Sequence, residues 1–239
     1  MLQIISSRSY FLHAVMTLTA IGIIALGCSG NDAPEPTPAS GPSETRPTSV
    51  PDTDAAIRIV VLGDSIAAGM GLAKDEAFPA HAEAALREQG HDVEVINAGV
   101  SGDTSAGGLA RLDWVLHKPA AVLVVELGGN DALRGQPIEN TEMNLREIVR
   151  LGMNSGSRVV LLGMDVPTNY GPEYTTAFAD LYPRIAEDSG AVLVPGFVRE
   201  LGADPTLLQP DGLHPTAEGQ RRLAETLLPT LIEVIANLR

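Results

Sequence analysis

Two short stretches far apart in the chain carry side-chain types that together make an activated nucleophile. Ser65 lies in Gly63-Asp64-Ser65-Ile66-Ala67-Ala68-Gly69, and Asp211-Gly212-Leu213-His214 sets a carboxylate three residues from an imidazole. A serine hydroxyl is inert at its own pKa. It needs a base to take its proton and a third group to orient that base, and serine, histidine and carboxylate are the parts of such a relay. Ser65 also has a plain structural reading, as the N-cap of a helix at a strand-to-helix turn.

The elements that must position these residues follow from hydrophobic patterning. The apolar run that stops at Gly63 reads as a buried strand delivering Ser65 to the carboxyl edge of a parallel sheet, where α/β proteins keep their ligands. Strands are expected at Ile57–Leu62, Val93–Ile96, Ala120–Leu127, Arg158–Met164 and Ala191–Val194. Helices are expected at about Asp75–Gln89, from the loop at 97–104 to about His117, at Glu139–Met153, near Tyr174–Asp188, and from Pro215 to Asn237. Pro229 should kink or shorten the last of them. Alternating strands and helices mean a parallel sheet covered on both faces. With right-handed crossovers the fold class is α/β, a three-layer α/β/α sandwich with a five-stranded parallel sheet. Three strand ends then meet on one edge with Gly-rich polar clusters: Gly63-Asp64-Ser65, Ser101-Gly102-Asp103 and Gly129-Asn130-Asp131. The loop from Asp211 to His214 can fold over the same edge.

Bulk properties bound what such a site serves. With 239 residues, 44% of them hydrophobic, the chain can bury one sizeable core. A net charge of -14 and no basic run argue against nucleic acid as a partner. The single Cys28 excludes an internal disulfide framework. It closes a targeting segment, residues 1–28, in which Ala14–Gly27 is uncharged and mostly apolar but short of the roughly 20 residues of a membrane span. Ala25-Leu26-Gly27-Cys28 resembles a bacterial lipobox, with Ala25 in place of the commoner leucine, so Cys28 is the expected lipid attachment site. An ordinary secretion signal or a short anchor are the alternatives. Residues 29–56, with six prolines among Ser, Thr and acidic residues, read as a disordered, extended linker. The domain proper is expected over 57–239.

Four blocks give a more specific pointer: GDSIAAG (63–69), NAGVSGDTSAGGLARL (97–112), ELGGNDALRG (126–135) and DGLHP (211–215). In that order and spacing they resemble the SGNH (GDSL) hydrolase superfamily, and in particular its bacterial thioesterase I, lysophospholipase and arylesterase group. NYGPEY (169–174) is a weaker fifth match. The resemblance implies Ser65 as nucleophile, Asp211 and His214 as acid and base, and an oxyanion hole from Ser65, Gly102 and Asn130. An Asn amide can donate there where the neighbouring Asp131, if ionised, cannot. It also implies a serine esterase that hydrolyses carboxylic esters, with thioesters and lysophospholipids as further substrates, through an acyl-enzyme and without metal or cofactor. The expected setting is the cell envelope, with a monomer held to the membrane through a lipid on Cys28, or secreted. Two rival readings are a carbohydrate O-acetyl esterase using the same triad and a non-catalytic binding protein that keeps the fold.

Other residues carry plainer expectations. Asp64 should support the turn beneath Ser65. His13, His81, His91 and His117 lack metal-ligand spacing and read as solvated or helix-capping. Gly63, Gly69 and Gly71 miss the dinucleotide fingerprint, and Ala67 breaks the G-x-S-x-G elbow of α/β-hydrolases. Trp114 and Leu112 are expected in the core; composition reads Asn169–Pro172 only as a loop, and the family resemblance implies that it is a mobile wall over the acyl site.

Overall fold

A computed structural model describes residues 56–166 and 168–238. The targeting segment, Cys28 and nearly all of the expected linker lie outside the described residues. Five parallel strands run in the order β2-β1-β3-β4-β5. They are β1 (Ile57–Gly63), β2 (Val93–Gly99), β3 (Val122–Glu126), β4 (Arg158–Leu162) and β5 (Val192–Val194). The helices are α1 (Ser65–Ala68), α2 (Phe78–Glu88), α3 (Ser105–Val115), α4 (Gly129–Leu133), α5 (Ile138–Asn154), α6 (Pro172–Ser189), α7 (Arg199–Ala203) and α8 (Ala217–Ala236).

Strand periodicity explains the two cores. Ile59, Val61, Val122, Val124, Val160 and Leu162 face one side, where they meet residues of α2 and α8. Val60, Leu62, Leu123, Val125, Val159 and Leu161 face the other, against α3, α5 and α6. The expected three-layer α/β/α sandwich is therefore the observed one. Strand order reverses between β1 and β3, the switch point at which open α/β sheets leave a crevice beyond their carboxyl ends. Ser65 follows β1 and Asn130 follows β3, so the two chemical blocks flank that crevice.

Three expectations are corrected. Pro229 neither ends nor shortens α8, which runs on to Ala236. The loss of one backbone hydrogen bond, a cost of about 3 kcal/mol in an isolated helix, is offset by burial of Leu227, Leu231, Val234 and Ile235. Trp114 is 74% exposed while Leu112 is buried. The inward face of α3 is Ser105, Gly108, Leu112 and Val115, and a residue two positions from Leu112 points away from it. Finally, α2 starts at Phe78, because Pro79 suits a first helical turn and the preceding Lys74–Glu76 forms a separate 3₁₀ turn. Among the described residues no helix is long and apolar enough to cross a membrane.

Candidate active site

The turn after β1 frees the Ser65 hydroxyl. Asp64, not Ser65, caps α1: its Oδ1 accepts the Ile66 N–H at 2.9 Å. Ser65 becomes the first helical residue, and its Oγ lies 2.9 Å from Nε2 of His214. Both residues are 8% exposed. His214 in turn sets Nδ1 2.7 Å from Oδ2 of Asp211, while Oδ1 of Asp211 accepts the N–H groups of Leu213 and His214 at 2.9 and 3.0 Å. Those donors have an electrostatic consequence. The His214 N–H, the imidazole and the Leu213 N–H stabilise the anion, so Asp211 is pulled down to about 2. An ionised carboxylate only accepts. It therefore keeps the imidazole proton on Nδ1 and leaves the Nε2 lone pair facing the serine hydroxyl.

Two further groups arrive from separate strand ends. Asn130, in the first turn of α4, donates from Nδ2 to Oδ2 of Asp64 at 2.9 Å. This bond fixes the amide, and among the described residues its second hydrogen has no partner. Gly102 has φ +80°, a left-handed conformation that side chains disfavour, and its carbonyl accepts from Arg134 Nη2 at 2.6 Å. Arg111 ties the segments together, donating to Asp103 at 2.7 Å, to the Ala98 carbonyl at 2.6 Å and to the Gly63 carbonyl at 3.0 Å.

The structure thus brings Ser65, His214 and Asp211 into one hydrogen-bonded chain. It hangs Asn130 on the same turn through Asp64, whose expected supporting role it shows directly. Asp131 is buried and spent on Ser105, accepting its N–H at 2.8 Å and its hydroxyl at 2.5 Å. His117 bonds the Trp114 carbonyl at 2.7 Å, in keeping with a capping role, whereas His13 lies outside the described residues. In the expected wall segment Tyr170 stacks on Tyr174 with centroids 5.7 Å apart, and Tyr174 reaches the Gln136 carbonyl at 3.4 Å.

Sequence reasoning passes over Arg111, Arg134, Gln220 and Glu126. Gln220 of α8 accepts the Phe78 N–H and donates to the Ile66 carbonyl, each at 2.8 Å, pinning α1 from the far end of the chain. Arg111, Glu126 and Arg134 fall inside the matched blocks, and Glu126 stands out further as a lone acid in an otherwise apolar strand.

Comparison with known proteins matches residues 61–222 to the GDSL-like Lipase/Acylhydrolase family. The chain is 44% identical over 179 residues to Esterase TesA of Pseudomonas aeruginosa, covering 74% of this chain and 89% of that one. Against the Escherichia coli thioesterase/protease/lysophospholipase the identity is 38% over 179 residues, covering 74% and 84%. Among solved structures, the psychrotrophic esterase EstA of Pseudoalteromonas, inhibited by monoethylphosphonate, superposes with a TM-score of 0.72 at 31% identity, covering 76% of this chain and all of that one.

Proposed function

The chain belongs to the GDSL-like lipase/acylhydrolase family and is a serine esterase of carboxylic esters, and from that premise we propose that it works through an acyl-enzyme on Ser65. The observation that carries this is the unbroken chain from Ser65 Oγ through His214 to Asp211. As Oγ attacks the acyl carbonyl, Nε2 of His214 takes the hydroxyl proton, and Asp211 stabilises the resulting imidazolium. The oxyanion meets the N–H groups of Ser65 and Gly102 and the free hydrogen of the Asn130 amide. Each such donor is worth about 3 kcal/mol in the transition state. His214 then protonates the departing alcohol. A water, deprotonated by the same nitrogen, attacks the acyl-enzyme and releases the acid and Ser65.

On the acyl side we favour medium or long chains. Met70, Val100, Leu133 and Leu213 are exposed large apolar residues, each on a segment carrying a catalytic group. Exposed apolar side chains on the segments that carry the site suit an alkyl chain better than a glycan. Thioesters and lysophospholipids fit the same requirement. Acyl-CoA is a poor physiological substrate for an envelope protein, because that pool is cytosolic. Envelope placement through a lipid on Cys28 belongs to this reading, supported by the apolar run ending in Ala25-Leu26-Gly27-Cys28. Lipid labelling that disappears in Cys28→Ser tests it, and equal labelling of the variant overturns it.

The deciding experiment is kcat/KM across nitrophenyl esters from acetyl to palmitoyl, with Ser65→Ala as blank. An optimum at medium or long chains supports this reading, activity confined to acetyl turns it to the O-acetyl esterase, and serine-independent turnover overturns it.

A further inference from the structure

Glu126 has no exposed surface, yet nothing among the described residues balances a charge on it. A buried carboxylate ordinarily demands a cation or donors on both oxygens. Here both donors fall on one oxygen: Oε2 accepts the Asp64 N–H at 3.0 Å and the Ala67 N–H at 3.2 Å. Oε1 has no partner among the described residues. An anion would leave Oε1 without any donor, with no balancing cation among the described residues. A protonated carboxyl avoids burying that charge while Oε2 keeps both N–H bonds.

The neighbours favour the neutral form too. From the turn after β1 comes Asp64, itself buried, with Oδ1 on the Ile66 N–H and Oδ2 on the Asn130 amide. Arg111 of α3 reaches the Gly63 carbonyl, but its charge is already paired with Asp103. Asp131 of α4 is tied to Ser105, and Tyr182 of α6 donates to the Leu127 carbonyl at 2.9 Å. A positive charge on His214 would favour the Asp64 carboxylate rather than Glu126. Burial first, and the Asp64 charge second, push the Glu126 carboxyl well above the usual carboxylate range. The packing leaves no slack: a Cβ on Gly63 would come within 2.5 Å of Oε2.

We infer that Glu126 is a positioning residue of the ester hydrolysis. Held as a neutral carboxylic acid under the nucleophile turn, it fixes the backbone of Asp64 and Ala67. It thereby sets both the serine between them and the Asp64 carboxylate that aims the Asn130 amide. The inference rests on Ser65 as nucleophile, since it assigns Glu126 the task of placing that hydroxyl.

Two variants and one spectrum test it. Gln offers the same carbonyl to the same N–H groups without ionising, whereas Ala offers none. The expected result is a kcat for Glu126→Gln within about threefold of wild type. Glu126→Ala should lose about a hundredfold in kcat per folded molecule with KM nearly unchanged, the usual cost of a misplaced reacting group. The wild-type minus Glu126→Gln infrared difference at neutral pH should contain a protonated-carboxyl C=O band. The inference is overturned if Glu126→Gln is as impaired as Ala, if Ala keeps wild-type kcat, or if that band is missing or vanishes in Asp64→Asn instead. Should Ala fail to fold, the Gln kinetics and the spectrum still decide. Failure of the Ser65 reading itself shows separately, as activity surviving Ser65→Ala, and leaves the infrared result untouched.

Discussion

Ser65 sits in a turn bonded by residues from far along the chain, whereas Asp211 and His214 sit in a turn that bonds itself. Glu126 reaches the Asp64 N–H across 62 positions, Asn130 reaches the Asp64 carboxylate across 66, and Gln220 reaches the Ile66 carbonyl across 154. The Asp211 bonds span two or three positions, and the Gln209 N–H closes the same turn onto the His214 carbonyl at 2.7 Å. Solvent divides the two halves as well. Asp64 and Ser65 are buried, while the Asp211 side chain is 46% exposed. Their carboxyls shift in opposite directions: burial raises Asp64 and Glu126, and local N–H donors lower Asp211. A buried turn supported from a distance ties catalysis to the fold. An exposed, self-bonded turn lets catalysis fail while the fold survives.

Ser65→Ala sets the scale of any break, with an expected loss of about 10⁶ in kcat on a nitrophenyl ester and unchanged unfolding. Asp211→Asn sharpens the contrast: kcat should fall about 10⁴-fold through the wrong imidazole tautomer, while Tm at neutral pH falls only by the modest amount that the ionised carboxylate contributes. A large drop in Tm there would break it. Asn130→Ala should cost about 10²–10³ in kcat, the usual loss of one oxyanion donor, with little change in KM. Gln220→Leu strands the Phe78 N–H and the Ile66 carbonyl. It should cost about 3 kcal/mol in denaturant unfolding and lower kcat too, a double effect absent from the Asp211 side. The smallest effect is a pH signature. Because the folded Asp211 lies below its ordinary 3.8, its ionised form adds stability that is full above that value and lost as pH falls to about 2. The stability gap between wild type and Asp211→Asn should therefore close over that window, and a constant gap would contradict the assignment.

Legibility in the sequence follows the same division. Ser65 stands out at the end of an apolar strand, Asp211 and His214 as an acid and an imidazole three residues apart, and Gly102 and Asn130 because their blocks keep order and spacing. The five strands are equally plain, since central parallel strands such as β3 are apolar without interruption. Pro229 misleads because local propensity knows nothing of the core holding α8, and Trp114 because hydrophobicity alone does not say which face of α3 it occupies. Arg111 and Gln220 read as ordinary helix-surface residues until the fold brings the ends of β1 and β2, and the start of α1, against them.

The sequence by itself determined the alternation of strands and helices, the sheet edge that carries the polar clusters, and the self-bonded Asp211–His214 turn. Those depend on periodicity and on contacts within a few residues. Only the tertiary structure decided that Asp64 rather than Ser65 caps α1, that its carboxylate holds the Asn130 amide, and that an uncompensated acid lies beneath the nucleophile. Burial and the direction of a distant donor are properties of the assembled sheet, and no local stretch of chain encodes them.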